Sequence, residues 1–434
     1  MNICIVGAGP TGLAAGYELA KKGHSVSIYD SEAEYARLLG TIQVGDKKLE
    51  KFYHHIFTSY IDIIDLIDEL DLSSELSWIS AKNGIYLNNR LYPFSSPADL
   101  FLFKELCFTD RISLGILLLK AQLIKKWGNL EDITAKEWVI KHAGRNVYQK
   151  VWAPLLYSKF DQDADEISAA WLWNRIKLRG STRSKTLKSE LLGYLNGSFL
   201  VIYEKMASRI EELGGTIGCS KSINRIVPRD DRSLDVTCKD ETKNFKAVII
   251  TSAPAVVLDM GLQFPIWYIE KIKKIKYKAN ICMILELSEQ LSPFYWIAVA
   301  EKDFPFVAII EHTNLVPING YNCHVVYLSR YIDEKNELFL SPDEKVKELF
   351  IKYLKRTFPK WDESTIIKTH LNRARYVQPV IFTGYSEIVP QFKTPIDNLY
   401  LASMAQIYPE DRGQNYAVKM GEKIARIVDS SSLK

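Results

Sequence analysis

Short apolar runs alternate with helix-length amphipathic stretches from the first residues of the chain. Ile3, Ile5 and Val6 form a buried-strand run, Leu13 to Lys22 has the apolar spacing of a helix, and Val26 to Tyr29 is a second strand ending at Asp30. Gly23 closes the helix between them. Residues 59 to 190 then read as mostly helical, with helices over Ile61 to Leu70, Leu114 to Lys126, Ala135 to His142 and Val147 to Leu156. The polar, basic stretch RGSTRSKTLKSE, Arg179 to Glu190, reads as a mobile loop. GYLNGSFLVIYEKMASRIEELGGTI supplies a further helix and strand, and DVTCKDETKNF a hairpin before a buried strand over Ala247 to Thr251. Between 272 and 331 the runs NICMILEL, FYWIAVAE, FVAIIEHT and HVVYLSRY predict an antiparallel sheet. LSPDEKVKELFIKYLKRTF is an amphipathic helix with Ser341 or Asp343 near its cap. The last segment, from NLYLASM to EKIARIV, reads as strand, loop and helix, with only DSSSLK loose behind it.

GAGPTG joins the first strand to the first helix and supplies G-x-G-x-x-G at Gly7, Gly9 and Gly12, with Ala8, Pro10 and Thr11 between. Gly7 suits the tight turn, Gly9 lets the backbone approach a pyrophosphate, and Gly12 lets helix pack on strand. The helix N-terminus then offers unpaired N–H groups to the phosphates. Asp30 is placed to accept a ribose hydroxyl. Dinucleotide binding follows from strand, loop, helix and acid together, and the position at the amino terminus favours FAD over NAD. The fold class is α/β: a Rossmann-like FAD/NAD(P)-binding domain over 1–58, 191–265 and 385–434, interrupted by a mixed α+β substrate domain over 59–190 and 266–384, made of the antiparallel sheet and the helical insert.

Composition narrows the rest. The 434 residues are 47% hydrophobic and 25% charged, enough for a large core. A net charge of +4, spread over 56 basic and 52 acidic residues, gives no block for nucleic acid. Six scattered cysteines form no CxxC pair and no metal site, so they read as reduced and mostly buried. MNICIVGAG enters a strand without the features of a secretory signal, which points to the cytoplasm. LGILLLKAQLI, Leu114 to Ile124, is interrupted by Lys120 and is expected to be a buried helix rather than a membrane-dipping one.

With these elements placed, the chain resembles the flavoprotein superfamily of amine oxidases, protoporphyrinogen oxidase and phytoene desaturase. HHIFTSY, RLYPFSSPADLF and GRNVYQKVWAPLLYSKF are similar to stretches of UDP-galactopyranose mutase. SAAWLWNRIKLRG, FVAIIEHTN and YLASMAQIYPEDRGQNYAV are more similar to FAD-dependent oxidoreductases associated with polysaccharide biosynthesis. The resemblance implies FAD as cofactor, with Gly7, Gly9, Gly12 and Asp30 on its adenosine and pyrophosphate. It places Ile223 at the adenine, Ser252 and Ala253 near the cofactor, and Met404 with the helix start Asp411, Gly413 and Asn415 at the ribityl chain and flavin pyrimidine. It places His54 and His55 on the loop over the isoalloxazine. Two positions depart from the superfamily pattern: Ala36-Arg37 stands where a glycine pair is usual, and Ser403-Met404 where a Gly-Asp pair is usual. Arg37 there either clashes with a phosphate or pairs with it.

Adjacent strand residues face opposite ways, so one at most of His54 and His55 is expected to meet a substrate, the other packing among Phe52, Tyr53 and Phe57. Glu311 and His312 end a buried apolar strand, where unpaired ionisable groups are costly, and are candidates for catalysis. Arg373, Arg375 and Tyr376 are candidates for a diphosphate or carboxylate clamp. The leading expectation is hydride transfer between flavin N5 and a small-molecule substrate, a sugar nucleotide or lipid-linked glycan precursor. A redox-neutral flavin-dependent mutase and a binding protein with a decayed flavin site are the alternatives.

Overall fold

The computed structural model describes residues 1–181, 190–301 and 303–431. Most of the basic stretch expected to be a loop, and the last three residues, lie outside the described residues.

The two opening strands, Asn2–Val6 and Ser25–Tyr29, sit in the middle of a five-stranded sheet in which every pairing is parallel. Its order runs Thr216–Gly218, Ser25–Tyr29, Asn2–Val6, Ala247–Ile250, Leu399–Leu401. Ile5 lies level with Ile28 on one side and Ile249 on the other. The uninterrupted apolar sequences follow from this, because both faces of the sheet are covered: Ile3, Ile5, Ile28 and Ile249 pack with the helices Pro10–Lys21, Leu200–Glu212 and Gln414–Ser431, while Cys4, Val6, Val248 and Ile250 pack on a three-stranded antiparallel sheet of Ile223–Pro228, Leu234–Cys238 and Glu241–Phe245. The glycine-loop helix, Pro10–Lys21, and the C-terminal helix, Gln414–Ser431, are in close backbone contact. A Cβ on Gly421 would stand 2.5 Å from Ala14 Cβ and 2.7 Å from Thr11 O.

A seven-stranded sheet forms the second layer, in the order Ile366–Pro379, Tyr277–Leu287, His324–Ile332, Ala308–Glu311, Trp296–Val299, Asn83–Leu87, Arg90–Pro93. The four runs of 272–331 are antiparallel as expected. Trp296–Val299 then pairs in parallel with Asn83–Leu87, so the stretch read as mostly helical contributes two strands to this sheet. Leu76–Ala81, from the same stretch, is a third strand, paired with Glu190–Leu195 in a separate three-stranded sheet. Asn88 and Asn89, at φ 52° and 56°, form the tight reversal of the hairpin between Asn83–Leu87 and Arg90–Pro93.

The helical insert comprises Phe108–Leu123, Ala135–Ala143, Ala153–Phe160 and Ala169–Ser181. The single helix expected over Val147 to Leu156 is instead a wide π turn, Tyr148–Trp152, followed by a new helix with Pro154 in its first turn. Proline lacks the N–H that would continue the ladder. The helix starting at Asp343 has Pro342 at its cap, between the two residues expected near it, and Ser341 donates to Glu337 O at 2.9 Å. Phe108–Leu123 is not a buried helix: Leu114, Leu117 and Ala121 face the core, while Ile112, Ile116, Leu119 and Leu123 face outward.

Candidate active site

The C-terminal ends of the parallel strands open onto one cleft, which holds about 360 Å³ and falls within the roughly 300–1,000 Å³ of small-ligand pockets. Gly7 turns the chain at φ 111°, and a Cβ there would meet Thr251 Oγ1 at 2.4 Å. A Cβ on Gly12 would stand 1.9 Å from Gly7 O, whereas one on Gly9 would meet nothing within 4 Å. Gly9 thus leaves the approach to the helix N-terminus clear. No side chain caps that helix, and Pro10 occupies its first turn, so its first N–H groups are left for an anion. Asp30 Oδ2 accepts the Ala8 N–H at 2.7 Å and Oδ1 accepts the Glu32 N–H at 2.9 Å. These bonds hold the glycine loop and leave the carboxylate lone pairs for a further donor.

A second helix N-terminus meets the same cleft. Gly413 and Gln414 line it, and the Ala417 N–H donates to Gly413 O at 3.0 Å as the helix begins. Ser252, Ala253, Ile223 and Met404 also line the cleft. Ser252 Oγ and Gln414 Nε2 are buried without a hydrogen-bond partner. Buried polar atoms are nearly always paired, so these two mark where a polar ligand belongs. A cleft with an anion-binding helix end at one point, a second helix end at another and two waiting polar atoms suits a long dinucleotide.

The two departures from the superfamily pattern have local solutions. Ala36 takes the left-handed conformation of the missing glycine, φ 55°, and its N–H donates to Ala8 O at 2.9 Å. The left-handed region costs an alanine about 1–2 kcal/mol, against about 1 kcal/mol of backbone entropy for glycine. Ala36→Gly is therefore expected to raise stability by up to about 1 kcal/mol, read from urea unfolding of the two proteins side by side. Arg37, at the rim, pairs with Glu32 at 2.7 Å. Ser403 caps a short turn over Met404–Gln406, with Gln406 Oε1 accepting the Ser403 N–H at 2.6 Å.

Of the two histidines, His54 lines the cleft and His55 does not. His54 Nδ1 donates to the Phe52 carbonyl at 2.7 Å, leaving Nε2 as an acceptor. Burial, with Arg412 nearby, pushes its pKa down to about 4. His55 bonds the Tyr295 hydroxyl at 2.9 Å and stands edge-on to Phe57, Tyr295 and Trp296. Burial lowers its pKa to about 3.

The structure places several expected site residues outside the cleft. Glu311 is buried and accepts from Leu291 N, Ser292 N and Ser292 Oγ at 3.0, 2.8 and 3.2 Å, which makes it a loop clamp. Burial still raises its carboxyl to about 7. His312 bonds the Tyr321 hydroxyl at 3.2 Å within a ring cluster that includes Tyr194 and Tyr327. Arg373 is held by Asp343 and the Ser341 carbonyl, and Arg375 is exposed beside Glu334. Tyr376 alone of that trio lines the cleft, edge-on to Tyr277. Asn415 accepts the Ile63 N–H at 3.0 Å and donates to Asp62 at 2.9 Å, bracing the start of the Ile61–Glu69 helix. Asp411 turns into the helical insert, toward Lys159, Arg175 and Trp171.

Arg412 was not singled out by the sequence. It lines the cleft, donates to the Tyr331 hydroxyl at 2.6 Å and to Gln378 Oε1 at 3.2 Å, and its charge acts with burial to lower the His54 pKa. Only its place beside Asp411 at a helix start hinted at it.

Comparisons with known proteins bear on the family and the fold. Zeta-carotene desaturase from Synechocystis sp. is 25% identical over 192 residues, 39% of each chain. Mitochondrial protoporphyrinogen oxidase from Nicotiana tabacum is 24% identical over 200 residues, 44% of this chain and 39% of that one. The chain spans about half, or less, of the length of the curated relatives it matches. Among solved structures, an oxidoreductase from Methanosarcina mazei superposes with a TM-score of 0.74 at 16% identity, covering 100% of both chains. Reduced UDP-galactopyranose mutase superposes with 0.76 at 14% identity, over 100% of this chain and 96% of that one. The family model described as flavin containing amine oxidoreductase matches residues 10–428, nearly the whole chain. The chain therefore belongs to the flavin-containing amine oxidoreductases, whose cofactor is the dinucleotide that the cleft suits.

Proposed function

We propose that this protein is an FAD-dependent oxidoreductase that takes a hydride from, or gives one to, a hydroxylated or unsaturated carbon of a small molecule bearing an anionic group. The observation that carries the reading is the continuity of one cleft from the glycine loop to His54 and Arg412. Gly7, Ala8, Gly9, Pro10, Thr11 and Gly12 would hold the pyrophosphate and Asp30 the adenosine ribose. Ile223 would meet the adenine, and Met404, Gly413 and Gln414 the flavin end. When bound, FAD supplies the two-electron acceptor or donor. The protein's part is positional. The N-terminus of the C-terminal helix stabilises negative charge beside it, Arg412 holds an anionic substituent, and neutral His54 accepts a substrate proton at Nε2.

Net redox chemistry draws support from the relatives, which are named desaturases and protoporphyrinogen oxidases. A sugar nucleotide or lipid-linked glycan precursor fits the anion requirement, with Arg412 in place of the arginines at 373 and 375. The test begins with the purified protein, which should carry FAD and show flavin absorbance. Turnover of such substrates should need an external electron acceptor. A colourless protein that cannot be reconstituted would establish the binding-protein alternative, and activity only after dithionite, with no net electron flow, the mutase.

His54 has its own test. A base whose pKa is lowered keeps its deprotonated form at every pH above that value, here about 4. The profile of kcat/KM should accordingly show no ascending limb near pH 6.5 from this residue. His54→Ala should cut kcat at least about tenfold, some 1.4 kcal/mol, with flavin content unchanged.

A further inference from the structure

The outward face of the insert is apolar well beyond ordinary surface scatter. Phe108, Ile112, Ile116, Leu119 and Leu123 follow one another at intervals of four or three residues, which puts them on one side of the Phe108–Leu123 helix. They are 59, 44, 44, 68 and 78% exposed, and Phe101 and Leu102 of the preceding short helix add 55 and 73%. The stripe runs about 22 Å along the helix axis. Among the described residues no helix is long and apolar enough to cross a membrane, so this one can only lie along a surface.

Charge says which surface. Between Phe101 and Lys126 there are five basic residues, Lys104, Arg111, Lys120, Lys125 and Lys126, against Glu105 and Asp110. Glu105 is turned onto Tyr92 and Asn88. Lys120 stands 3.5 Å from His142, with exposed Lys141 beside the same ring. A two-fold pairing of copies through this face would set lysine against lysine. An apolar stripe bordered by lysines matches a bilayer interface with anionic headgroups, where the stripe enters the acyl boundary and the lysines meet phosphate.

We infer that the Phe108–Leu123 helix docks this protein, in the plane of the interface, on the surface of an anionic membrane. The inference is independent of the redox reading and can be tested on the full chain as purified, whatever its flavin content. In vesicle sedimentation the protein should pellet with phosphatidylcholine–phosphatidylglycerol vesicles, less with phosphatidylcholine alone, and less as salt rises. Leu119→Asp with Leu123→Asp should cut the bound fraction at least about tenfold with unchanged thermal midpoint, since both side chains are exposed. Lys120→Glu, Lys125→Glu and Lys126→Glu together should remove the preference for the anionic vesicles. Wild-type protein left in the supernatant with anionic vesicles, or binding untouched by the aspartates, would overturn the inference. So would a wild-type dimer that the aspartates split without any vesicle binding, which would assign the face to a second copy.

Discussion

Gly12→Ala will yield protein depleted of flavin and with reduced stability, whereas Gly9→Ala will yield stable protein depleted of flavin. The two glycines stand in the same six-residue loop, yet their surroundings differ. An added Cβ on Gly12 would lie 1.9 Å from Gly7 O and 3.0 Å from Gly7 C, both backbone atoms, and 3.2 Å from Thr251 Oγ1. Gly7 cannot yield, because Thr251 Oγ1 lies 3.1 Å from both the Val6 and Gly7 carbonyls and ties the loop to the neighbouring strand. The helix would have to lift from the sheet, and the C-terminal helix packed against it at Gly421 would move too. Overpacking of this kind costs about 1–3 kcal/mol or more. At Gly9 the added methyl meets no protein atom within 4 Å and projects where the pyrophosphate would approach. Flavin affinity should fall at least about tenfold there, about 1.4 kcal/mol, with unfolding unchanged. The measurements are flavin-to-protein absorbance, FAD titration and urea unfolding on both variants. A Gly9→Ala protein that keeps wild-type flavin would mean the cofactor lies elsewhere.

That loop was legible in the sequence because everything that defines it is local: strand, turn, helix and acid follow within thirty residues. The buried runs of the second sheet were legible for the same reason. The hairpin at Asn88-Asn89 carried a tight-turn pair that a mostly helical reading of its surroundings passed over. The site beyond the loop depends on segments brought together from far apart. Glu311 was a reasonable candidate, since a carboxylate at the end of a buried strand needs partners. It finds them in the Leu291 and Ser292 N–H groups instead of a substrate. Arg373 has the right chemistry for a clamp, but Asp343 already occupies it. Period-two reasoning expects His54 and His55 to part, yet both lie in the irregular segment ahead of the Ile56–Phe57 strand, so strand alternation is not what separates them. It could not say which faces the cleft, a matter decided by Tyr295, 240 residues away. Asp411 and Arg412 show the same limit: side by side at a helix start, one turns inward to the insert and the other into the cleft.

Asp411→Asn should cost about 3–5 kcal/mol of stability, the range for a buried ion pair deprived of one partner. The carboxylate is 5% exposed and is surrounded by Lys159, by Arg175 at 3.3 Å and by the Trp171 indole N–H at 3.3 Å. These come from the Ala153–Phe160 and Ala169–Ser181 helices, so one side chain ties the helical insert to the start of the C-terminal helix. Burial alone would raise its pKa, yet Lys159, Arg175 and Arg412 outweigh burial and hold the carboxyl well below the ordinary range. A depressed acid contributes its stability above the unfolded pKa, near 3.8, and loses it as pH falls through the folded value. At neutral pH the Asp411 carboxylate is fully ionised, and the asparagine forfeits what that charge contributes. Lys159 is under opposite pressure: burial, with Arg175 and Arg412, drives its pKa to about 7 against the pull of Asp411. Without the carboxylate it would lose its proton and leave an amine beside the Trp171 ring. Lys159→Met should therefore cost less than Asp411→Asn, because Asp411 keeps Arg175 and Trp171, and the double variant should be more stable than Asp411→Asn alone. Since Arg412 follows directly in the chain, Asp411→Asn should also weaken substrate capture at the cleft, raising KM more than it lowers kcat. Equal losses in the two single variants, with simple additivity in the double, would show that the lysine and the carboxylate act separately.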